Sequence, residues 1–388
     1  VKRSDFSKNR RKHLIEVQKN AWAYVPAPLP GGEVLDSALW LKNSEADRAI
    51  GRLAGLGEQV RNPHLLIRPF IQREAVESSQ IEGTRAEQRD LVLFEIDPDE
   101  PTVFDVQEVR NYVKALDYGL KRLDDLPIAQ RLIREMHREL MTGVRGGEKS
   151  PGSFRRIQNW IGPPGCTIDS ATYVPPPVPD MKRCLHELES FIHDPPNALP
   201  PLVRMAMVHY QFEAIHPFID GNGRVGRLLL SLLLCVQGVL PQPLLYLSAY
   251  FNRHRHDYYR YLLSVSTHGD WQGWINFFLQ GVIEQANESI HSARQLLALH
   301  QRLTEKLQSE GQPTTVLQLL DKLFELPATT GSAASKTLGV TPKTAYRTID
   351  RLVEAEVLTE MTGKKRGKRY LALPIIELLE HPPSRAHA

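Results

Sequence analysis

The sequence predicts a mainly α protein with one short β-hairpin near its middle and a helix-turn-helix carrying a wing at its C-terminal end. Apolar residues recur at helical spacing through most of the chain. A single stretch, residues 151–177, breaks that period with Pro and Gly around two short β-prone runs. Residues 313–373 then fit short helices, a Gly turn and two strand-like runs into one compact unit. With 388 residues the chain has room for two or three domains, and 41% apolar against 24% charged residues exclude disordered, collagen-like and fibrous classes.

Composition narrows the setting. Cys166, Cys184 and Cys235 lie far apart and in odd number, so neither a disulfide framework nor a zinc knuckle is signalled, and a cytoplasmic location is expected. Val1-Lys2-Arg3-Ser4-Asp5 has no apolar stretch behind it, so no signal peptide is expected. The oily run from Leu228 to Leu240 is interrupted by Ser231, Gln237 and Gly238 and is too short to cross a bilayer, so no membrane partner is expected. The net charge is +3, and residues 313–373 hold ten Lys/Arg against six Asp/Glu, which places the basic excess at the C-terminal end.

In chain order, a basic arm and a loop rich in Pro and Gly (Pro26 to Gly32) read as mobile or as an extended strap. A helix follows from Asp36 to Leu56, and Asn62-Pro63 opens another that ends near Ser78 to Gly83. Asp105 to Leu123 is helical with Val106, Val109, Val113, Ala115 and Leu116 as core positions, and Ile128 to Leu140 repeats the pattern. Gln158 to Ile161 and Ala171 to Val174 make the hairpin. Helices resume at Pro179 to His193, Pro201 to Ile215, Arg224 to Val236 and Asp257 to Ser266, with Trp271 to Leu307 as one long helix. His209 and Tyr210 fall on an apolar helix and read as core; His254 and His256 alternate with arginines in a polar loop and lack a third metal ligand. In the C-terminal unit Val316 to Phe324 is helical. Ala333 to Leu338, Gly339 and a helix capped by Thr341 with Pro342 at its first position make the helix-turn-helix. Val357 to Glu360 and Arg369 to Ala372 flank a basic loop as strands.

The chemistry concentrates in His216-Pro217-Phe218-Ile219-Asp220-Gly221-Asn222-Gly223-Arg224-Val225-Gly226-Arg227. Glycines on both sides of an asparagine let backbone N–H groups converge, and a helix starting near Arg224 adds its positive end, so the loop suits a phosphate. Arg224 and Arg227 project from the first turn to clamp further phosphates. Asp220 is a lone carboxylate of the kind that holds Mg²⁺ when phosphates complete the shell. His216 titrates where a general base is needed. A glycine turn that merely starts a helix would not account for base, acid, nest and two cations within twelve residues.

This segment resembles the signature of the Fic family, H-x-F-x-[D/E]-G-N-G-R-x-x-R, at every position. The resemblance implies a helical Fic core with the hairpin as a flap, and transfer of AMP from ATP to a Ser, Thr or Tyr hydroxyl of a target protein. It implies His216 as the base, Asp220 as the Mg²⁺ ligand, and Gly221, Asn222, Gly223 and Gly226 around the phosphates with Arg224 and Arg227. Phe218 would anchor the loop. Ser78-Ser79-Gln80-Ile81-Glu82-Gly83 is similar to the inhibitory motif of some members, [S/T]-x-x-x-E-[G/N], in which the glutamate pairs with the last signature arginine. Glu82 and Ser78 would then form a brake, and in some relatives that glutamate also serves removal of AMP. Thr172, Tyr173 and Val174 resemble the flap that aligns the target by strand addition. Asn252, Tyr258 and Tyr259 are similar to the segment where relatives hold the adenine.

The C-terminal helix from Thr341 to Val353 presents Lys343, Thr344, Arg347 and Arg351 and reads either as a DNA-binding or as a protein-binding winged helix. The expected domains are 1–104 (helical, with the inhibitory motif), 105–295 (the Fic core) and 313–388 (winged helix). A homodimer is the default assembly. The alternative function is that of a DNA-binding transcriptional regulator using the Fic core as an ATP sensor.

Overall fold

The computed structural model describes residues 1–19, 21–60, 62–96, 104–194, 199–240, 243–363 and 367–380. The first half of the chain holds β1 (Leu14–Gln18), β2 (Ala21–Tyr24), α1 (Ser37–Gln59), α2 (His64–Ile81), α3 (Gln88–Ile96), α4 (Phe104–Arg122), α5 (Gln130–Met141) and α6 (Val178–His193). The second half holds α7 (Pro201–Ile215), α8 (Asn222–Val236), α9 (Ser248–Arg253), α10 (Arg255–His268), α11 (Trp271–Ser309), α12 (Thr314–Glu325), β3 (Ala328–Thr330), α13 (Gly331–Leu338), α14 (Pro342–Glu354), β4 (Thr359–Glu360), β5 (Arg369–Leu371) and α15 (Leu373–Glu380). The mainly helical class expected from the periodicity holds. Among the described residues no helix is long and apolar enough to cross a membrane.

Two compact units emerge from the contacts, one of residues 1–51, 111–241 and 247–285, the other of residues 52–110, 242–246 and 286–388. In the first, α7 is apolar on all sides, with Leu202, Val203, Met205, Ala206, Met207 and Phe212 buried, as expected of a helix enclosed by others. It packs against α6, α8 and α10. All five core positions predicted on α4 are buried.

The N-terminal arm departs from expectation. It forms a hairpin, with Leu14 opposite Tyr24 and Glu16 opposite Trp22. Only β2 turns its residues inward, burying Ala21, Ala23 and Tyr24, and Tyr24 N–H donates to Val174 O at 2.9 Å. The first strand, Leu14-Ile15-Glu16-Val17-Gln18, is exposed or half-buried throughout and shows no clean alternation in the sequence. The hairpin expected at 158–161 and 171–174 contracts to one antiparallel bridge, Ile161 with Tyr173. Pro163, Pro164 and Pro175 to Pro177 offer no N–H for further rungs. His254 and His256 lie at the junction of α9 and α10 rather than in a loop, because α10 begins at Arg255.

In the second unit α13 and α14 pack closely, β3, β5 and β4 form an antiparallel sheet in that order, and α12 lies against α13 and α14. The expected cap is present: Thr341 Oγ1 accepts from Thr344 N, and Pro342 opens α14. Helix α3 packs on β3, and α2 lies along α12 and α15. Val92 of α3 shares a core with Ala328, Leu371 and Ile376. Helices α2 and α3, upstream of the core region drawn from the sequence, thus pack on the apolar surface of α12, β3 and α15.

Candidate phosphate-binding site at the start of helix α8

Helix α7 ends at His216, whose backbone is left-handed at φ 48° and ψ 61°. A non-glycine residue pays strain there, and the following Pro217 restricts it further. Arg155 holds the turn. Its guanidinium, buried at 2% exposure, donates to the carbonyls of His216 (3.0 Å), Ile157 (3.2 Å), Ile215 and Pro176. Burial lowers the Arg155 pKa to about 10, so the group stays charged at neutral pH. Asn159 adds a donor to Phe218 O at 2.9 Å.

The loop between α7 and α8 is braced from inside. Phe218 is fully buried and stacks on the His137 ring, with centroids 3.7 Å apart. Asn222 clamps the Phe218 backbone in both directions: Oδ1 accepts from Phe218 N at 2.8 Å and Nδ2 donates to Phe218 O at 2.9 Å. His137 Nδ1 accepts from Gly152 N–H at 2.8 Å, so Nε2 carries the proton and donates to Asp220 O at 3.0 Å. Burial pushes the His137 pKa down to about 4, and the ring works as a neutral strut.

Helix α8 starts at Asn222, two residues before the sequence expectation, because Gly221 takes the left-handed conformation (φ 78°) that turns the chain into the helix. A Cβ at Gly221 would fall 2.8 Å from Met141 Sδ, so no side chain fits. The N–H groups of the first turn have no intrahelical acceptors and carry the positive end of the helix dipole. Arg224 and Arg227 are both buried, at 4% and 2% exposure, and Arg224 Nη2 lies 3.7 Å from Asp220 Oδ1. Gly226 leaves room for the Glu213 carboxylate beside it.

His216 Nδ1 meets the Glu213 carbonyl at 3.3 Å. A carbonyl only accepts, so Nδ1 bears the proton and Nε2 presents the lone pair that a general base uses. Asp220, one-third exposed, keeps a carboxylate at the mouth of the turn. Among the described residues no group of three or more His, Cys, Asp and Glu is placed to hold a metal. One accessible carboxylate beside an anion-binding helix end nevertheless fits Mg²⁺, which takes most of its shell from phosphate and water. The site can therefore hold phosphates, a divalent ion and a base within one turn of chain.

The other predicted residues lie as follows. Ser78 is buried on α2; Glu82 caps that helix and is exposed, with Gly83 next at φ 96°. Thr84 Oγ1 donates to the buried Glu108 at 2.9 Å and Arg85 N to Asp105, which ties this end to α4. Thr172 is exposed, while Tyr173 and Val174 are buried and Tyr173 Oη donates to Ala214 O at 2.9 Å. Tyr258, expected near the adenine, is instead 1% exposed among Phe251 and Trp274, because it occupies the inner face of α10. Its hydroxyl donates to His209 Nε2 at 2.8 Å, and His209 Nδ1 donates to Gly226 O. Tyr259 is 43% exposed, and Asn252 is half-buried.

Sequence reasoning missed Arg155, Asn159 and His137. His137 had a signal: it interrupts an otherwise apolar stripe of Leu132, Ile133, Met136, Leu140 and Met141 on α5. Arg155 had none beyond its place after Pro151-Gly152, since its acceptors besides Ile157 come from two distant segments, at 215–216 and at 176.

Two family models match the chain, Fic/DOC family N-terminal over residues 40–121 and Fic/DOC family over residues 127–234. A protein adenylyltransferase Fic from Aedes aegypti is 35% identical over 146 residues, 37% of this chain and 26% of the relative. One from Nematostella vectensis is 30% identical over 174 residues, 43% of this chain and 36% of the relative. The chain spans about a third or less of the length of these curated relatives. A Fic family protein from Desulfovibrio desulfuricans G20 shares the fold with a TM-score of 0.56 at 21% identity, over 88% of this chain and 98% of that one. A Fic domain containing signaling protein from Bacteroides thetaiotaomicron does so at 0.51 and 18%, over 63% and 97%. Fold and site together define a helical protein with a glycine turn and two buried arginines between two central helices. Across residues 40–234 the chain belongs to the Fic/DOC family.

Two outcomes follow for stability. Arg155→Lys keeps the charge but reaches fewer carbonyls, and is expected to lower unfolding free energy by about 2 kcal/mol, read by chemical denaturation. The pKa of His209 is held down to about 3, chiefly by burial and then by Arg227. Between that value and the ordinary 6.5 the unfolded chain binds the extra proton, so stability falls as pH drops from 6.5 towards 3. Melting scans across that range should show His209→Gln with a shallower decline than the wild type.

Proposed function

We propose that the chain transfers AMP from ATP to a hydroxyl side chain of a target protein. The observation that carries this reading is the His216 turn, its Nδ1 against the Glu213 carbonyl, leading through a left-handed Gly221 into the N-terminus of α8 with the buried Arg224 and Arg227. The hydroxyl oxygen attacks the α-phosphorus, its proton passes to His216 Nε2, and the bond to the β-phosphate oxygen breaks to release pyrophosphate. The first-turn N–H groups of Asn222 and Gly223, with Arg224 and Arg227, hold the phosphates, and Gly221 and Gly226 belong to the same phosphate-binding turn. Asp220 would hold Mg²⁺, which when bound neutralises phosphate charge. The curated relatives named protein adenylyltransferase Fic support the choice of AMP over other groups.

In this reading residues 105–295 form the catalytic region, Thr172 guides the target segment along the flap, and Asn252 and Tyr259 meet the adenine. Glu82, with Ser78, acts as a brake on Arg227 and also serves removal of AMP. The three free cysteines support a cytoplasmic protein, and a homodimer is the assembly to test for. A second reading rests on α14: Lys343, Thr344 and Arg347 are exposed along it behind the Thr341 cap, as in a winged helix that lies on DNA. Such a protein would use the Fic core as an ATP sensor and regulate transcription.

Transfer from α-labelled ATP with Mg²⁺ separates these readings. Glu82→Gly is expected to label itself or lysate proteins strongly, and Glu82→Gly with His216→Ala to label nothing. Salt-dependent retention on DNA with no transfer by any variant would overturn the transferase reading in favour of the second.

A further inference from the structure

Asp220 already has a cation. Lys149 Nζ lies 3.0 Å from Asp220 Oδ2, the carboxylate oxygen turned away from the Gly221 N–H that Oδ1 accepts at 2.7 Å. The loop that delivers Lys149 is shaped for this. Gly146 is left-handed at φ 82°, and a Cβ there would stand 2.6 Å from Asp220 Oδ2, so the backbone approaches the carboxylate as closely as glycine allows. Lys149 N–H returns to Gly146 O at 2.9 Å, and Ser150 is left-handed at φ 57°. Three residues on, Gly152 N–H is held by His137 Nδ1, while Nε2 of the same ring holds Asp220 O. One buried imidazole therefore registers both the lysine loop and the aspartate loop.

Placed in this way, the pair is not a chance meeting of two long surface chains. Lys149 is 43% exposed and Asp220 34%, so solvent reaches the pair and a competing cation can exchange with it. A divalent ion seeking Oδ2 must displace the ammonium, and its greater charge lets it do so once phosphates add their own. Arg224 Nη2 lies on the other side of the carboxylate, 3.7 Å from Oδ1.

We propose that Lys149 is the cation that Mg²⁺ displaces from Asp220, and that it thereby sets the metal concentration at which ATP binds. This rests on the reading of Asp220 as the metal-holding carboxylate. Neither the motif signature nor the relatives' names assign anything to Lys149.

The test is ATP binding, followed by calorimetry in the Glu82→Gly chain at a series of Mg²⁺ concentrations from none to saturating. Circular dichroism establishes that each variant is folded. Lys149→Gln, which removes the charge and keeps much of the length, is expected to lower the Mg²⁺ midpoint for ATP binding about fivefold, as removal of one adjacent positive charge should. Lys149→Arg keeps a cation and is expected to stay within about twofold of the parent. Asp220→Asn is expected to make ATP binding nearly independent of Mg²⁺. If Asp220→Asn behaves so but Lys149→Gln leaves the midpoint unchanged or raises it, the role of Lys149 is overturned alone. If ATP binding by Asp220→Asn still depends on Mg²⁺ as the parent does, the metal reading of Asp220 falls and the Lys149 proposal with it.

Discussion

The buried guanidinium of Arg155 is the contact on which the site depends. Helix α7 must stop at His216, the chain must turn left-handed before a proline, and it must do so inside protein, where the freed carbonyls have no water. Arg155 supplies several fixed donors to this one place, gathering carbonyls from the end of α7, from the segment after Arg155 itself and from the proline run at the flap exit. A planar, permanently charged fork suits this geometry better than an ammonium. The strain at His216 persists because the surrounding contacts over-determine it.

Charge around the turn follows from the same economy of space. Two arginines, a helix N-terminus and Lys149 bring positive charge to a few residues, and the Asp220 carboxylate lies against both Lys149 and Arg224. Both arginines are buried, so they stand already desolvated beside this turn. His137 and His209 do the opposite work. Both are kept neutral by burial, one joining the loops on either side of Asp220 and the other pinning the first turn of α8 through Gly226 O. A neutral ring can donate on one side and accept on the other, which suits it to bridging two backbone segments.

Within the second unit, the segment that ends at Glu82 does not stand alone. Helix α2 lies along α12 and α15, α3 covers β3, and Val92, Leu371 and Ile376 share one core. The Thr84 hydroxyl on Glu108 and the Arg85 N–H on Asp105 fix the turn after Glu82 to the start of α4. Small helical units bury too little apolar surface alone to be stable. The C-terminal helices and strands gain that surface from residues far upstream.

The sequence by itself determined the helical class, the approximate bounds of most helices, the Thr341 cap and the position of the glycine turn that opens α8. These are local matters: apolar period, capping chemistry and the glycine that permits a left-handed residue act over a few neighbours and leave their mark in order. It did not determine β1 and β2, whose outer strand lacks a clean alternation, nor the extent of the hairpin at 158–174, which prolines cut to a single bridge. Nor did it determine what Arg155, His137 and Lys149 touch, or that Tyr258 is taken up by His209. Only the tertiary structure decided those, because each joins residues tens of positions apart whose meeting is set by how helices pack rather than by any pattern along the chain.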